Sequence, residues 1–391
     1  MNKRVVVGIL SYIIFIYWCT TTTTNTSATN NTLFTSSATL SKDDNSPRIR
    51  VLIARAVGPS EAQNVIDDVQ HNFNTHNSKS QCNRIQETNE IDPFANNTEA
   101  FPNHILCESN FVLPQVEVEY LIFARNADVA KQINNACNSS SISNVEVIDV
   151  TGDSIKVHNW ISYVNEDRLI GFDYAWLVDG DILIRSLNWI AFWQQITLFK
   201  PKISQPSIIG TTKDGYSSWH PVLRHQADSR IVAAETALIE LMVPLFTVDT
   251  WLGLRQIILS LPILLERIKA GGTNYIDGWW CHYAKTSLLE EHQQSPTQDP
   301  SIYKPTNHLI DPKNISSISR LMERSCVILY QTPVVHSNKK TLKKTFQFRQ
   351  TTKMVEKYLV KNFNVAIFGN KAYEVFATVP RNNITRTKTN I

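Results

Sequence analysis

An α/β fold, with a mostly parallel central sheet and helices on both faces, is what the sequence predicts. Three observations carry that expectation. Apolar runs at 49–57, 116–123, 145–150 and 172–178 alternate with stretches of helical spacing or polar character. Over 391 residues, 42% are hydrophobic and 19% charged, which excludes a disordered or collagen-like chain and permits one large domain or two ordinary ones. Glycine is scarce at 12 residues, and neither a dinucleotide fingerprint nor a P-loop occurs. In such sheets ligands bind beyond the carboxyl ends of the strands, so the residues just past each strand are where chemistry is expected.

The chain opens Met1-Asn2-Lys3-Arg4, and residues 5–19 carry no charge. Two cations before an apolar run mark a secretory signal or a signal anchor. No small-x-small cleavage site comes after Cys19, and uncharged threonines lengthen the run, which favours an anchor over a cleaved signal. With Lys3 and Arg4 on the cytosolic side, the remainder is expected in the lumen. Residues 20–47 are rich in Thr, Ser and Asn and read as a stalk or a disordered leader. The expected divisions are therefore 1–19 as anchor or signal, 20–47 as stalk, 48–379 as the folded domain and 380–391 as a polar tail. Sequons at Asn25, Asn30, Asn96, Asn138, Asn314 and Asn383 agree with secretory entry. Beyond Cys19, five dispersed cysteines (Cys82, Cys107, Cys137, Cys281, Cys326) include no C-x-x-C, which excludes a zinc ribbon or a thioredoxin motif. Up to two disulfides are open to them. Cys82 with Cys107 is a plausible pair inside the polar insertion at 75–113, although pairing is not readable from spacing. A net charge of +3 gives no reason to expect nucleic acid as a partner.

Within the folded part, 49–57 ends at Gly58-Pro59 and reads as a strand. Ala62, Val65, Ile66, Val69 and Phe73 then recur with helical spacing. Strands at 116–123, 145–150 and 172–178 come next, with a short helix at 127–137 and helical character at 155–168. In the second half, 187–199 reads as a helix, 203–209 as a strand and 211–230 as a loop. Residues 233–246 form an apolar stretch interrupted by Glu235 and Glu240. Residues 251–268 read as one long helix ended by Gly271-Gly272. Asp277-Gly278-Trp279-Trp280-Cys281-His282 is a polar-aromatic cluster, 285–320 reads as loop, and 326–335 is a last strand ending at His336.

The strongest chemical signal is Trp176-Leu177-Val178-Asp179-Gly180-Asp181. A buried strand delivers two carboxylates at its carboxyl end. Hard oxygen ligands so spaced suit Mg²⁺ or Mn²⁺. Such a metal offsets charge on a diphosphate leaving group, as a nucleotide-sugar transferase requires. An ordinary Asp-Gly-Asp turn is the alternative.

Five blocks in order resemble domain-of-unknown-function family 707, secretory-pathway proteins grouped with glycosyltransferases of the GT-A fold. They are Ala54-Arg55-Ala56-Val57-Gly58 with Asn64 and Val65; Phe172-Asp173-Tyr174 through Asp181; Ile203-Ser204-Gln205-Pro206; Ile239 through Phe246 with Trp251; and Val334-Val335-His336. The family usually has Asp-Glu-Asp where this chain has Asp179-Gly180-Asp181, and residues 153–168 match poorly. The resemblance implies a GT-A-like domain anchored in the Golgi or endoplasmic reticulum membrane, or secreted if the leader is cleaved. It implies a nucleotide-sugar donor held by Asp179, Asp181 and Gln205, with Mn²⁺ or Mg²⁺ held by Asp179, Asp181 and His336. A glycan, protein or small molecule would be the acceptor.

An inverting transferase needs a carboxylate to take the acceptor's proton. Asp277 is the first candidate and Glu240, costly in its apolar run unless paired, the second. A helix cap and an ion pair are their respective structural readings. Trp219, Trp279 and Trp280 are candidate sugar platforms or core residues. The run of Lys339, Lys340, Lys343 and Lys344 reads as a solvated basic face. A non-catalytic sugar-binding or scaffold protein, or a metal-dependent hydrolase, would present the same motif.

Overall fold

The computed structural model describes residues 48–71, 114–152, 155–210, 231–271, 273, 276–294, 324–337, 359 and 373–378. Strand β1 (Arg48–Val57) is the axis of the parallel half of the sheet. It pairs in parallel with β2 (Gln115–Ala124) on one side and with β4 (Tyr174–Asp179) on the other. β3 (Val145–Asp149) adds in parallel outside β2. The chain thus steps outward from β1 to β3 and then returns to lay β4 against the opposite edge of β1. The β-branched run of β1 suits burial on both faces, as expected for a central parallel strand. Val51, Ile53 and Val57 pack on one side with α1 (Ala62–Gln70), α2 (Ala127–Ser139) and α4 (Trp189–Phe199). Leu52 and Ala54 pack on the other with α3 (Lys156–Tyr163), α5 (Val248–Ser260), α6 (Pro262–Lys269) and α7 (Ile276–Gln294). Helices on both faces are therefore as predicted.

Beyond β4 the sheet becomes mixed. A short β8 (Leu245–Thr247) lies antiparallel to both β4 and β6 (Pro201–Gly210). β6 pairs in parallel with β9 (Arg324–His336), and β7 (Ile231–Thr236) runs antiparallel along β9. β10 (Tyr373–Thr378) forms the edge on β7, and β5 (Ile182–Leu183) pairs antiparallel with the end of β9. The longest ladders are parallel, and the antiparallel ones are short.

Several elements depart from expectation. The stretch 251–268 is not one helix but two, α5 and α6, bent by 99°. Pro262 opens α6, where its missing N–H is harmless, and Leu261 before it takes a non-helical conformation. The helix pair does end at Gly271, whose φ of 92° suits glycine. The apolar stretch 233–246 resolves into the end of β7, a connecting loop and β8. Helix α7 continues to Gln294 through a segment read as loop; Ala284 and Leu288 are buried while Lys285 and Thr286 face solvent. Among the described residues no single helix is long and apolar enough to cross a membrane. The anchor, the stalk, the insertion with Cys82 and Cys107, the 211–230 loop with Trp219, the lysine run and the tail lie outside the described residues.

A disulfide between Cys281 and Cys326 ties α7 to β9, with Cα atoms 5.5 Å apart and a sequence separation of 45. By chain entropy, closing such a loop contributes about 4 kcal/mol. Cys137 is a buried free thiol. The sequon residue Asn138 is exposed near the end of α2.

Candidate functional site

The return of β4 to the far side of β1 creates a topological switch point, and a crevice opens outside the carboxyl ends of such strands. Asp179 is the last residue of β4, in register with Ala56 near the end of β1. The Asp-Gly-Asp turn therefore sits where strand order alone predicts a ligand.

A fully buried ion pair shapes that turn. Arg55 on β1 pairs with Asp68 on α1, both with no exposed side-chain surface. The same guanidinium donates to the carbonyls of Asp179 (3.1 Å), Gly180 (3.2 Å) and Ile182 (2.6 Å). Asp68 accepts from the backbone N–H groups of Ile184 and Arg185, both at 3.1 Å, and from Nη1 of Arg185 at 3.0 Å. The turn is thus held through its backbone carbonyls, and the carboxylates of Asp179 and Asp181 meet other partners. Gly180 is required by close approach. A Cβ there would lie 2.6 Å from Oε2 of Glu61 and 2.9 Å from the carbonyl of Ala56. Glu61, itself buried, accepts from the N–H of Gly58 at 2.7 Å. Any side chain at this position requires both Glu61 and the backbone at Ala56 to shift.

The three residues expected to ligate a metal are not brought to one point. Nζ of Lys156, in the first turn of α3, donates to both oxygens of Asp179 (2.7 and 2.6 Å) and to the carbonyl of Leu241 (3.0 Å). His336 meets Asp181 instead, with Nε2 3.1 Å from Oδ2. The pairing of Ile182 with His336 across β5 and β9 fixes that meeting. Ser337 reinforces it by donating its N–H and hydroxyl to the carbonyl of Asp181 at 2.8 and 3.0 Å. Among the described residues no three His, Cys, Asp or Glu side chains form a metal-sized group. As placed, Asp179, Asp181 and His336 do not fit a three-ligand Mn²⁺ or Mg²⁺ site. Burial raises the Asp179 carboxyl above its ordinary value; Lys156 pulls it down, Asp181 pushes it up and Arg125 also lowers it.

The two candidate bases stand in the loop after β7 and at the start of α7. Glu240 is buried in the loop after β7, where its backbone N–H donates to Oε1 of Gln205 at 2.6 Å. Gln205 is fully buried on β6 with its amide turned to the carbonyl of Pro206, so its visible contact is to the Glu240 loop. Asp277, at the start of α7, accepts from the N–H of Gly278 at 3.0 Å. Burial, and after it the nearby charge of Glu240, pushes Asp277 up to about 7, against the opposing effects of that backbone hydrogen bond and Lys156. Glu240 and Asp277 are thus within electrostatic reach of each other and of Lys156. Trp279 and Trp280 belong to the core and not to the crevice. They are 1% and 0% exposed, and Trp280 packs edge-on against Phe246. Neither can offer a face to a sugar.

Three cations of the site are not singled out by the sequence. Arg55, an arginine inside an apolar strand, carried a signal, because a buried charge must be paired. Arg125 directly follows β2, where the switch-point rule directs the search. Lys156 stands in the poorly matching stretch and had no signal.

No protein-family model and no curated protein matches the chain. Among solved structures it is similar to S. aureus TarS 1-349, at 8% identity over 82% of this chain and 67% of that one, with a TM-score of 0.39. It is likewise similar to S. aureus TarS 1-349 in complex with UDP-GlcNAc, at 7% identity over 82% and 68%, again with a TM-score of 0.39.

Proposed function

We propose that this protein is a glycosyltransferase that moves a sugar from a nucleotide-sugar donor to an acceptor hydroxyl of a glycan, a protein or a small molecule. One observation carries the reading. The switch-point crevice brings the Asp179-Gly180-Asp181 turn and the Asp277–Glu240 carboxylate pair within electrostatic reach of a single lysine. The turn supplies polar groups at the position where an α/β sheet holds a nucleotide. Asp277 supplies a base: a carboxyl that titrates near neutrality accepts a proton from a hydroxyl as that oxygen attacks the anomeric carbon and the bond to the diphosphate breaks. Glu240 tunes it by like-charge repulsion. Gln205 positions Glu240 through the backbone.

A luminal setting is part of the proposal. It is supported by the Cys281–Cys326 disulfide, which belongs to oxidising compartments, by the exposed sequon Asn138 and by the apolar leader. The same leader would supply the membrane attachment.

The test is nucleoside diphosphate release from a panel of nucleotide sugars, with and without candidate acceptors. One donor is expected to turn over, with Asp277→Asn still binding it but releasing product at least about 100-fold more slowly. Absence of release from every donor, together with an unchanged melting temperature in their presence, would overturn the reading.

A further inference from the structure

Both carboxylate oxygens of Asp179 are occupied by a side chain of the protein. Lys156 directs its ammonium to three acceptors, the two oxygens of Asp179 and the carbonyl of Leu241, which matches its three N–H bonds. Its Nζ also lies 5.4 Å from the ring of the fully buried Trp160, a further attraction that holds it in place. The ammonium cancels the charge of Asp179 without leaving the crevice.

A second cation lies within electrostatic reach of the same carboxylate. Arg125 comes directly after the last residue of β2, with its N–H anchored to the carbonyl of Val57 at 3.0 Å. Its guanidinium is close enough to Asp179 to favour the ionised carboxylate. Its Nε is buried and has no hydrogen-bond partner among the described residues. A buried guanidinium N–H is costly to leave unmade and calls for an acceptor that those residues do not provide. Since Lys156 already balances Asp179, the charge of Arg125 remains for an incoming anion.

Resting on the transferase reading, we propose that Lys156 and Arg125 form a built-in cationic seat for the diphosphate of the nucleotide donor, so that donor binding needs no divalent metal. Arg125 offers the fork suited to phosphate oxygens, and Lys156 supplies the point charge that keeps Asp179 from repelling them. This accounts for the failure of Asp179, Asp181 and His336 to converge: the carboxylate expected to hold a metal is already committed to a lysine.

The test is isothermal titration of the purified protein with UDP, GDP and inorganic pyrophosphate, in EDTA and again in Mn²⁺. At least one nucleoside diphosphate is expected to bind in EDTA within about twofold of its affinity in Mn²⁺. Arg125→Gln should weaken it by about 10–100-fold, the value of a charged hydrogen bond; Lys156→Met, which uncovers the charge of Asp179, should weaken it as well, and Lys156→Arg, which keeps the charge, should weaken it less. Melting curves identify any variant that fails to fold. If Lys156→Met does, Arg125→Gln and Lys156→Arg carry the comparison. Binding in Mn²⁺ that disappears in EDTA overturns the metal-free seat and leaves the transferase reading standing. No binding of either nucleotide under either condition overturns both.

Discussion

The two walls of the crevice handle charge in opposite ways. On the wall built by β1, α1 and β4, two carboxylates are matched by cations: Asp68 with Arg55 and Arg185, and Asp179 with Lys156. On the wall built by the loop after β7 and the start of α7, Glu240 raises the proton affinity of Asp277 by like-charge proximity. The first arrangement fixes a turn in place. The second stores a proton near neutral pH, at the expense of stability. The contrast separates charges that hold the site together from charges that act in it, and substitutions on the two walls should fail differently.

The largest expected effect falls on the second wall. Asp277→Asn should reduce turnover by about 10²–10⁴-fold with little change in donor affinity, read as a loss in kcat at constant KM. On the first wall the loss should appear in stability. Arg55→Met leaves Asp68 buried without its main counter-charge and is expected to cost about 3–5 kcal/mol in denaturant unfolding. A loss of activity at unchanged stability in that variant would erase the distinction between the walls. The disulfide braces the second wall, because Cys281 lies on the helix that carries Asp277. Replacing Cys281 and Cys326 together by serine should cost about 2–4 kcal/mol, read in the same unfolding experiment. Gln205→Leu removes the acceptor for the N–H of Glu240 and should cost about 1–3 kcal/mol. If the Glu240–Asp277 coupling depends on this positioning, the pH profile of turnover should shift as well.

The last comparison is a pH dependence. The Asp277 carboxyl is about 7 in the folded protein and about 4 when unfolded. The folded state therefore binds the proton more tightly, and this contribution to stability is full below about 4 and lost as pH rises through about 7. Asp277→Asn lacks that loss. The melting temperature of the variant relative to wild type should rise between pH 4 and pH 8. A difference that stays flat over that window would place Asp277 in an ordinary solvated setting.

The parallel half of the sheet was legible because β1, β2, β3 and β4 fall in apolar runs that alternate with helical spacing. That signal is local and strong. The bend at Pro262 is missed when 251–268 is read as one helix, although a proline inside a helical pattern marks it. By contrast, β8 and β10 are short and take their pairing from distant strands. The helical end of α7 is polar on one side, which composition alone reads as loop. In the site, Asp179 and Asp181 were found because a buried strand ending in carboxylates is visible in one dimension. His336 was found as the polar end of an apolar strand. The sequence could not show which partner each would meet. Lys156 reaches Asp179 from the first turn of α3, and Glu240, in the loop after β7, nears Asp277 at the start of α7. Both meetings depend on tertiary packing between segments that carry no local record of each other.

The most direct test of the central claim is a crystal structure of the protein with the nucleotide sugar that raises its melting temperature most. The expected result is the diphosphate outside the carboxyl ends of β1 and β4, within hydrogen-bond distance of Arg125, with the sugar directed toward Asp277. A nucleotide bound elsewhere on the sheet, or one whose sugar points away from Asp277 and Glu240, would contradict it.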